Sequence, residues 1–436
     1  MSGDCVAVYP TGGDDTSNIQ NAVNSGKNVY LGIGTFNVKS RIVCNTHGQV
    51  IEGNDPLKTI INATSNFTGI GWNFTNAYKA DPNRNGVFVL EKEGIHIKNL
   101  KMTFQQPNEP ANRNQLIKYP PAIHISPYCT RFRIDNVRIT KAPYGIYLNG
   151  NAGGGFIDRL EISFFEMGIC NHPYNRVDGE APLSGVLDTF RITNCHAWPF
   201  DLTSKQKSLM YGNDTTNTSH GPVFIYADDV DDLKLDNVTS LANISVKLNR
   251  TWMTGTNLDF ERTGIIAESG SSVYISSSHF TVGYNSKFIW LLNNGGFVDI
   301  SSSRFQTGSS NPDPSRPYLW TNNGTTLING CTFLQKNHKQ HTVHVGGPTS
   351  ICVLNNNVFD VGSGTGLPFI VMATNKSSLT MVGNRFVNAL NYTAPLTGVN
   401  AVSVEPGWHN ISNNLFYGAN KNLGSAGSNS IISNNK

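Results

Sequence analysis

Charged residues are scarce in this chain: they make up 14% of its 436 residues, against about 25% in a typical soluble protein. That shortage excludes a coiled coil or helical bundle, which needs Glu, Lys, Leu and Ala in abundance. The net charge of +3 is too small to imply nucleic acid or an anionic membrane as a partner. No apolar run approaches the length of a membrane span. The opening MSGDCVAVYPTGGDD lacks the basic and apolar regions of a secretory signal. Seven cysteines lie far apart, at 5, 44, 129, 170, 195, 331 and 352, with no CxxC pair. A zinc site is therefore not expected. Cys129, Cys170, Cys195, Cys331 and Cys352 sit in or beside apolar strand-like stretches and read as buried free thiols. No metal and no cofactor is expected.

What is present is Gly, 42 residues of it, with 22 Phe, 15 Tyr and 6 Trp spread along the whole length. That spread of aromatics excludes disorder. Asn, Ser and Thr are abundant enough to generate N-x-[ST] sequons by chance, such as Asn62, Asn213 and Asn391, and these are not read as glycosylation.

One phrase recurs: a short alternating strand, an Asn or small turn, and a second short strand. It appears as GIHIKNLKMTF (94–104), RFRIDNVRIT (131–140), DLKLDNVTS (232–240), SVYISSSHFTV (272–282), FVDISSSRFQT (297–307), ICVLNNNVFDV (351–361) and HNISNNLFY (409–417). A third strand precedes each phrase, as in VFIYADD (223–229) or KFIWLL (287–292). Three short strands per repeat without helices between them predict an all-β, right-handed parallel β-helix. Alternate side chains point into a narrow core. Asn at the turn tolerates the left-handed conformation and stacks on the next rung. A β-sandwich would need regular hairpin turns, which are sparse.

Residues 15–26 predict one short helix, capped by Asp15 or Thr16, with Ile19, Ala22 and Val23 on one face and Gly26 as its stop. The expected organisation is a cap with first strands over 1–40, continuous with a β-helix over 41–436. The end, NSIISNNK (429–436), reads as the start of another rung.

The passage DDTSNIQNAVNSGKNVYLGIGTFNV (14–38) resembles the opening of the pectate-lyase-like β-helix of bacteriophage tailspikes and capsule depolymerases. The resemblance is close over 13–38 and loose from about 94 onward. It implies a virion-tail homotrimer that binds, and usually cleaves, bacterial surface polysaccharide. No catalytic motif carries over residue by residue. The Gly-His-Gly and paired-Asp motifs of polygalacturonases are absent, Ser219-His220-Gly221 does not replace them, and the metal-binding Asp pattern of calcium-dependent pectate lyases is not found.

Aligning rungs on Leu233, Val273 and Phe297 places Asp228, Glu268 and Leu292 in one outward column and Tyr226, Ile266 and Trp290 in another. Trp320 and His344 extend the second column, and His124 and Tyr147 hold comparable places earlier. Outward rings suit the apolar faces of sugars, and carboxylates and amides suit their hydroxyls. The alternative is a face covered by a loop or a second subunit. Asp228 and Glu268 are the expected catalytic pair. Two rungs separate their backbones by roughly 9.6 Å, within leaning distance of the ~6.5–9.5 Å of inverting glycosidases. Asp229 and Glu261 are their substitutes. The rung between them carries Lys247 or Asn249, depending on turn length. Long insertions at 171–186 and 195–221 flank this region and make Asp201, His172 and His220 second-tier candidates.

Three functions follow. The leading one is an endo-acting glycoside hydrolase on capsule or O-antigen. A polysaccharide lyase on a uronic-acid polymer would use Lys247, Arg250, His124 and Tyr147. A non-catalytic glycan-binding adhesin needs only the groove. A homotrimer would cover exposed aromatics such as Phe165 and Trp252.

Overall fold

The computed structural model describes residues 4–72, 85–127, 129–149, 153–172, 188–212, 221–282, 289–307, 317–335, 341–361, 370–374, 376–388, 400–416, 419–422 and 430–436. It divides into two compact units, Met1–Asn243 and Ile244–Lys436. Each is a parallel β-helix. His220 and the sequons at Asn213 and Asn391 lie outside the described residues. No helix among the described residues is long and apolar enough to cross a membrane.

In unit 1 the strand Cys5–Val8 is followed by the expected helix, Thr16–Asn24, which buries Ile19, Ala22 and Val23. Gly26 adopts φ 74° just beyond it. The Asp15 side chain does not cap the helix. Its Oδ1 accepts from the Thr11 amide at 2.8 Å, and its Oδ2 accepts from the Asn37 amide at 3.1 Å. Asp15 therefore ties the helix to the first strands. The later strands lengthen until Arg133–Asn149 and Phe156–His172 each continue from one face of the coil onto the next, with register irregularities between Ile139 and Tyr144.

Unit 2 is more regular. Each rung has three strands, and each strand pairs in parallel with its counterpart one rung on. The first face runs through Ile244–Asn249, Thr263–Glu268, Leu291–Asn294, Leu319–Asn322 and Val343–Gly346. The second runs from Trp252–Thr256 through Trp408–Ser412 to Ile431–Ser433. The third runs from Asp259–Glu261 to Arg385–Asn388. The inward column of the first face is Val246, Ile265, Leu291, Leu319 and Val343, all buried.

Two devices lock the rungs of unit 2 together. Beneath the third face, Phe280, Phe305, Phe333, Phe359 and Phe386 stack at centroid spacings of 4.9, 4.8, 4.6 and 4.6 Å. That is the natural spacing of strands, so the rings meet without distorting the ladder. At the corner before each of these strands, one residue turns left-handed: Ser277, Ser302, Gly330, Asn356, Gly383 and Asn413. The next residue then points inward. Cys331 N donates to Asn357 Oδ1 at 2.9 Å, Asn357 N to Asn384 Oδ1 at 3.0 Å, and Asn384 N to Asn414 Oδ1 at 2.9 Å. An amide is apt here because it both donates and accepts, satisfying buried backbone of the rung before and bonding the amide of the rung after, as Asn357 does with Cys331 N, Ile328 O and Asn384 Oδ1.

The cysteines form no disulfide; Cys5 is exposed and the other six are buried. Burial pushes the Cys195 and Cys352 thiols up to about 12, so neither is a nucleophile at neutral pH.

Candidate functional site

The first face of unit 2 brings three of the expected residues together. Lys247, Ile266, Leu292, Trp320 and His344 follow one another in register, forming one outward column. Glu268, Asn294, Asn322 and Gly346 form the column beside it. The Trp320 and His344 rings stack at 5.8 Å, 8° from parallel. His344 Nε2 lies 3.0 Å from Thr374 Oγ1. Burial, with the neighbouring His341, holds this imidazole below its ordinary pKa. The pair is therefore a flat, largely uncharged platform. Gly346 leaves room for it, because a Cβ there would stand 3.3 Å from Trp320 Nε1.

Beside the platform runs a polar ladder. Asn322 Nδ2 donates to Asn294 Oδ1 at 3.0 Å, and Asn294 Nδ2 donates to Glu268 Oε2 at 2.8 Å. Lys247 Nζ stands 3.8 Å from Glu268 Oε1. The Glu268 side chain is 29% exposed, so it is reachable from solvent yet held in place. A platform for a sugar's apolar face thus lies next to acceptors and donors for its hydroxyls.

The register differs from the expected one. Glu268 stands opposite Asn294, not Leu292, and Ile266 opposite Leu292, not Trp290. Two effects add. Val298, not Phe297, pairs with Val273, and the turn through Gly295 and Gly296 is one residue shorter than the turn from Glu268 to Ser272. A slip of two preserves which side chains point inward, so Ile265, Ala267 and Leu291 are buried as expected while the columns shift. Trp290 falls before the strand and is fully buried. It packs on Phe305, Tyr318 and Phe333 at 5.2, 4.8 and 6.0 Å. It is a core residue and cannot hold a ligand.

In unit 1 the outward column is His124, Tyr147, Cys170 and Tyr226. The placement is as expected, but the face is covered there. Trp72 meets Tyr147 edge-on at 5.6 Å, and Tyr147 meets His124 at 5.2 Å. His124 and Tyr147 are 1% and 3% exposed, which removes them as open sugar contacts. Tyr226 is partly buried against the same cluster. Phe165 is fully buried and does not belong to an exposed patch.

Asp228 ends the strand Val223–Asp228 and is 3% exposed; its carbonyl accepts from Asn171 Nδ2 at 2.7 Å. Asp229 adopts φ 55° at the following turn. Both belong to unit 1 and Glu268 to unit 2. His172 closes the strand Phe156–His172. Asp201 is ion-paired with Lys101 at 2.6 Å. Burial would raise its carboxyl, but Lys101, with Arg138 and Lys141, holds it below the usual range. It is an anchoring residue of the 195–212 segment.

Glu261 lies on the third face of unit 2, two residues beyond Asp259. Burial and the Asp259 charge raise its carboxyl above the usual range. The folded state thus binds this proton more tightly than the unfolded chain. The stabilisation is complete below the unfolded value, near pH 4.3, and is lost as pH rises through the folded one. Glu261→Gln is expected to raise Tm at pH 7 and to leave it unchanged near pH 3. A Tm difference that persists at pH 3 would contradict the burial argument. Among the described residues no three His, Cys, Asp or Glu side chains converge as a metal site.

The fold is a parallel β-helix. A family model described as rhamnogalacturonase A/epimerase, pectate lyase-like, matches residues 10–171, a span that includes the opening motif read above. Similar solved structures include the gp42 tailspike of Acinetobacter phage vb_AbaP_AS12 (12% identity, 99% of this chain and 63% of that one, TM-score 0.47). Another is an N-terminal fragment of the bacteriophage Phi29 gene product 12 (14% identity, 92% and 66%, TM-score 0.46). A third is the catalytic unit of a GH87 alpha-1,3-glucanase from Streptomyces thermodiastaticus (10% identity, 98% and 68%, TM-score 0.47). The chain spans less than two thirds of the first two. No curated protein matches it in sequence.

Proposed function

We propose that the protein is a phage tailspike that binds bacterial surface polysaccharide, capsule or O-antigen, and hydrolyses it as an endo-acting glycosidase. The observation that carries this reading is the Trp320–His344 platform running in register beside the Glu268–Asn294–Asn322 ladder. A face that repeats every rung suits a polymer that repeats every few sugars. Glu268 is the carboxylate assigned to the reaction, as base toward water or as stabiliser of the oxocarbenium-like transition state. Lys247 beside it favours, as a second reading, a lyase in which the ammonium neutralises a uronate carboxylate. Digestion of a matched capsular polysaccharide separates these. New reducing ends without unsaturated-uronate absorbance are expected for the hydrolase, and with that absorbance for the lyase. Binding without either product identifies an adhesin and overturns the enzymatic reading.

The assembly proposed is a homotrimer, acting outside the cell on the virion tail. The second face of unit 2 supports it. Trp252, Tyr274, Ile351 and Trp408 are exposed along that face, and Tyr274 lies 5.9 Å from Trp252 and 5.6 Å from Phe297. A flat apolar face of this length is costly to leave in water and fits another copy of itself. Sedimentation equilibrium is expected to give three times the 47.6 kDa chain mass, and Trp252→Glu with Tyr274→Glu to shift it toward one. A single 47.6 kDa species for the unmodified protein at micromolar concentration would count against the trimer.

A further inference from the structure

The third face of unit 2 carries a groove that the platform on the first face does not use. Its volume is about 700 Å³, and Ser277, Ser302, Arg304, Thr332, Leu334 and Asp360 contribute to its lining. Pairing puts Asp259, His279, Arg304, Thr332, Val358 and Arg385 in a single outward column. Arg304 and Arg385 are both exposed, and neither makes an ion pair among the described residues. The acids of this face are differently placed. Asp259, whose side chain is 48% exposed, lies 3.2 Å from His279 Nδ1 through Oδ1, and with the partly exposed Glu261 it stands at the first rung of the face, two rungs before Arg304; Asp360 is 5% exposed. Within the groove's lining the exposed charge is Arg304, since Asp360 is buried, and Arg385 continues its column one rung beyond Val358.

Three rungs separate Arg304 from Arg385, about 14 Å at the usual strand spacing. The phenylalanine stack directly beneath fixes that span, since Phe305 and Phe386 flank the two arginines in sequence and belong to the same column of rings. Between the arginines lie the Thr332 hydroxyl and the apolar Val358, with Leu334 beside them. A rigid pair of cations separated by a hydroxyl and an apolar floor matches a ligand with oxyanions at intervals and a carbohydrate body between them.

We propose that this groove is a separate binding site for an oxyanion-bearing glycan, with Arg304 and Arg385 taking successive uronate carboxylates or sugar phosphates. The site is independent of the hydrolytic reading of the first face. It would hold an anionic stretch of surface polymer whether or not the chain is cut elsewhere.

Binding of three fluorescently labelled oligosaccharides of equal length tests it: an oligogalacturonate, a phosphorylated oligomannose and a neutral maltooligosaccharide. At low salt at least one anionic probe is expected to bind, more tightly than the neutral one and with an affinity that falls as salt rises. Binding of the galacturonate alone assigns the carboxylate source, and of the phosphomannan alone the phosphate source. Arg304→Ala with Arg385→Ala is expected to weaken binding about tenfold or more, the scale of two exposed charge-assisted contacts. The corresponding lysine double variant should recover part of it. Binding of neither anionic probe, equal binding of the neutral one, or an undiminished affinity in the alanine double variant overturns the proposal. Both arginines are exposed, so the variants are expected to fold, which far-UV circular dichroism checks.

Discussion

Replacing Glu268 by glutamine is expected to lower polysaccharide turnover by about 10²–10⁴-fold, the usual scale of acid–base catalysis. The amide retains a hydrogen-bonding oxygen for Asn294 Nδ2, which now donates to Glu268 Oε2 at 2.8 Å, so the ladder survives while the titratable group is lost. Binding should persist because Trp320 and His344 remain stacked. Trp320→Ala should do the reverse, weakening binding several-fold while leaving the chemistry possible. The measurement is initial rate of reducing-end release against binding to the same polymer. A glutamine variant with wild-type turnover would remove Glu268 from the reaction and leave the first face as a binding surface only.

Phe333→Ala is expected to destabilise the protein by about 3–5 kcal/mol, the range for removing a buried aromatic ring. Phe333 is fully buried and stacks at 4.8 Å on Phe305 and 4.6 Å on Phe359. It also packs against Trp290 at 6.0 Å. The loss interrupts a continuous column, so neighbouring rungs cannot close the space without breaking their own register. Leu334→Ala, one residue on and half-buried on the outer side, should cost far less. Equilibrium denaturation monitored by tryptophan fluorescence reports the change, with Trp290 inside the affected region. Equal effects of the two substitutions would show that the stack carries no special share of the stability.

The repeat was legible because its two causes are local. Alternation writes the inward residues directly into sequence, and the left-handed corner writes itself as Asn, Ser or Gly at a fixed place. Columns were not legible, because a column depends on turn length, and the turn at Gly295–Gly296 differs by one residue from the one before it. Coverage was not legible either. His124 and Tyr147 point outward by alternation, and only the fold reveals that Trp72, far away in sequence, closes over Tyr147. Trp290 escaped the pattern because it sits just outside the strand, where alternation no longer holds.

One signal was present and unread. Ser278, Ser303, Cys331, Asn357, Asn384 and Asn414 are each followed two residues later by Phe. Two steps along a strand return to the same side, so an inward corner residue and an inward ring are one pattern. That pattern predicts the aromatic column, and with it the third face that carries Arg304 and Arg385.

The corner ladder also constrains how such a chain can change length. Each inward amide receives its partner from the next rung and offers the same atoms to the rung before, as Asn357, Asn384 and Asn414 do. Neighbouring rungs are therefore interchangeable at their junctions. Excising or duplicating one complete repeat rejoins like with like, leaving the amides, rings and outward columns aligned. Losing a single residue from a strand does not, because it turns the following side chains inside out. Length in this scaffold is quantised: the reach of the binding surface can grow or shrink by whole rungs while the chemistry on each remaining rung stays where it was.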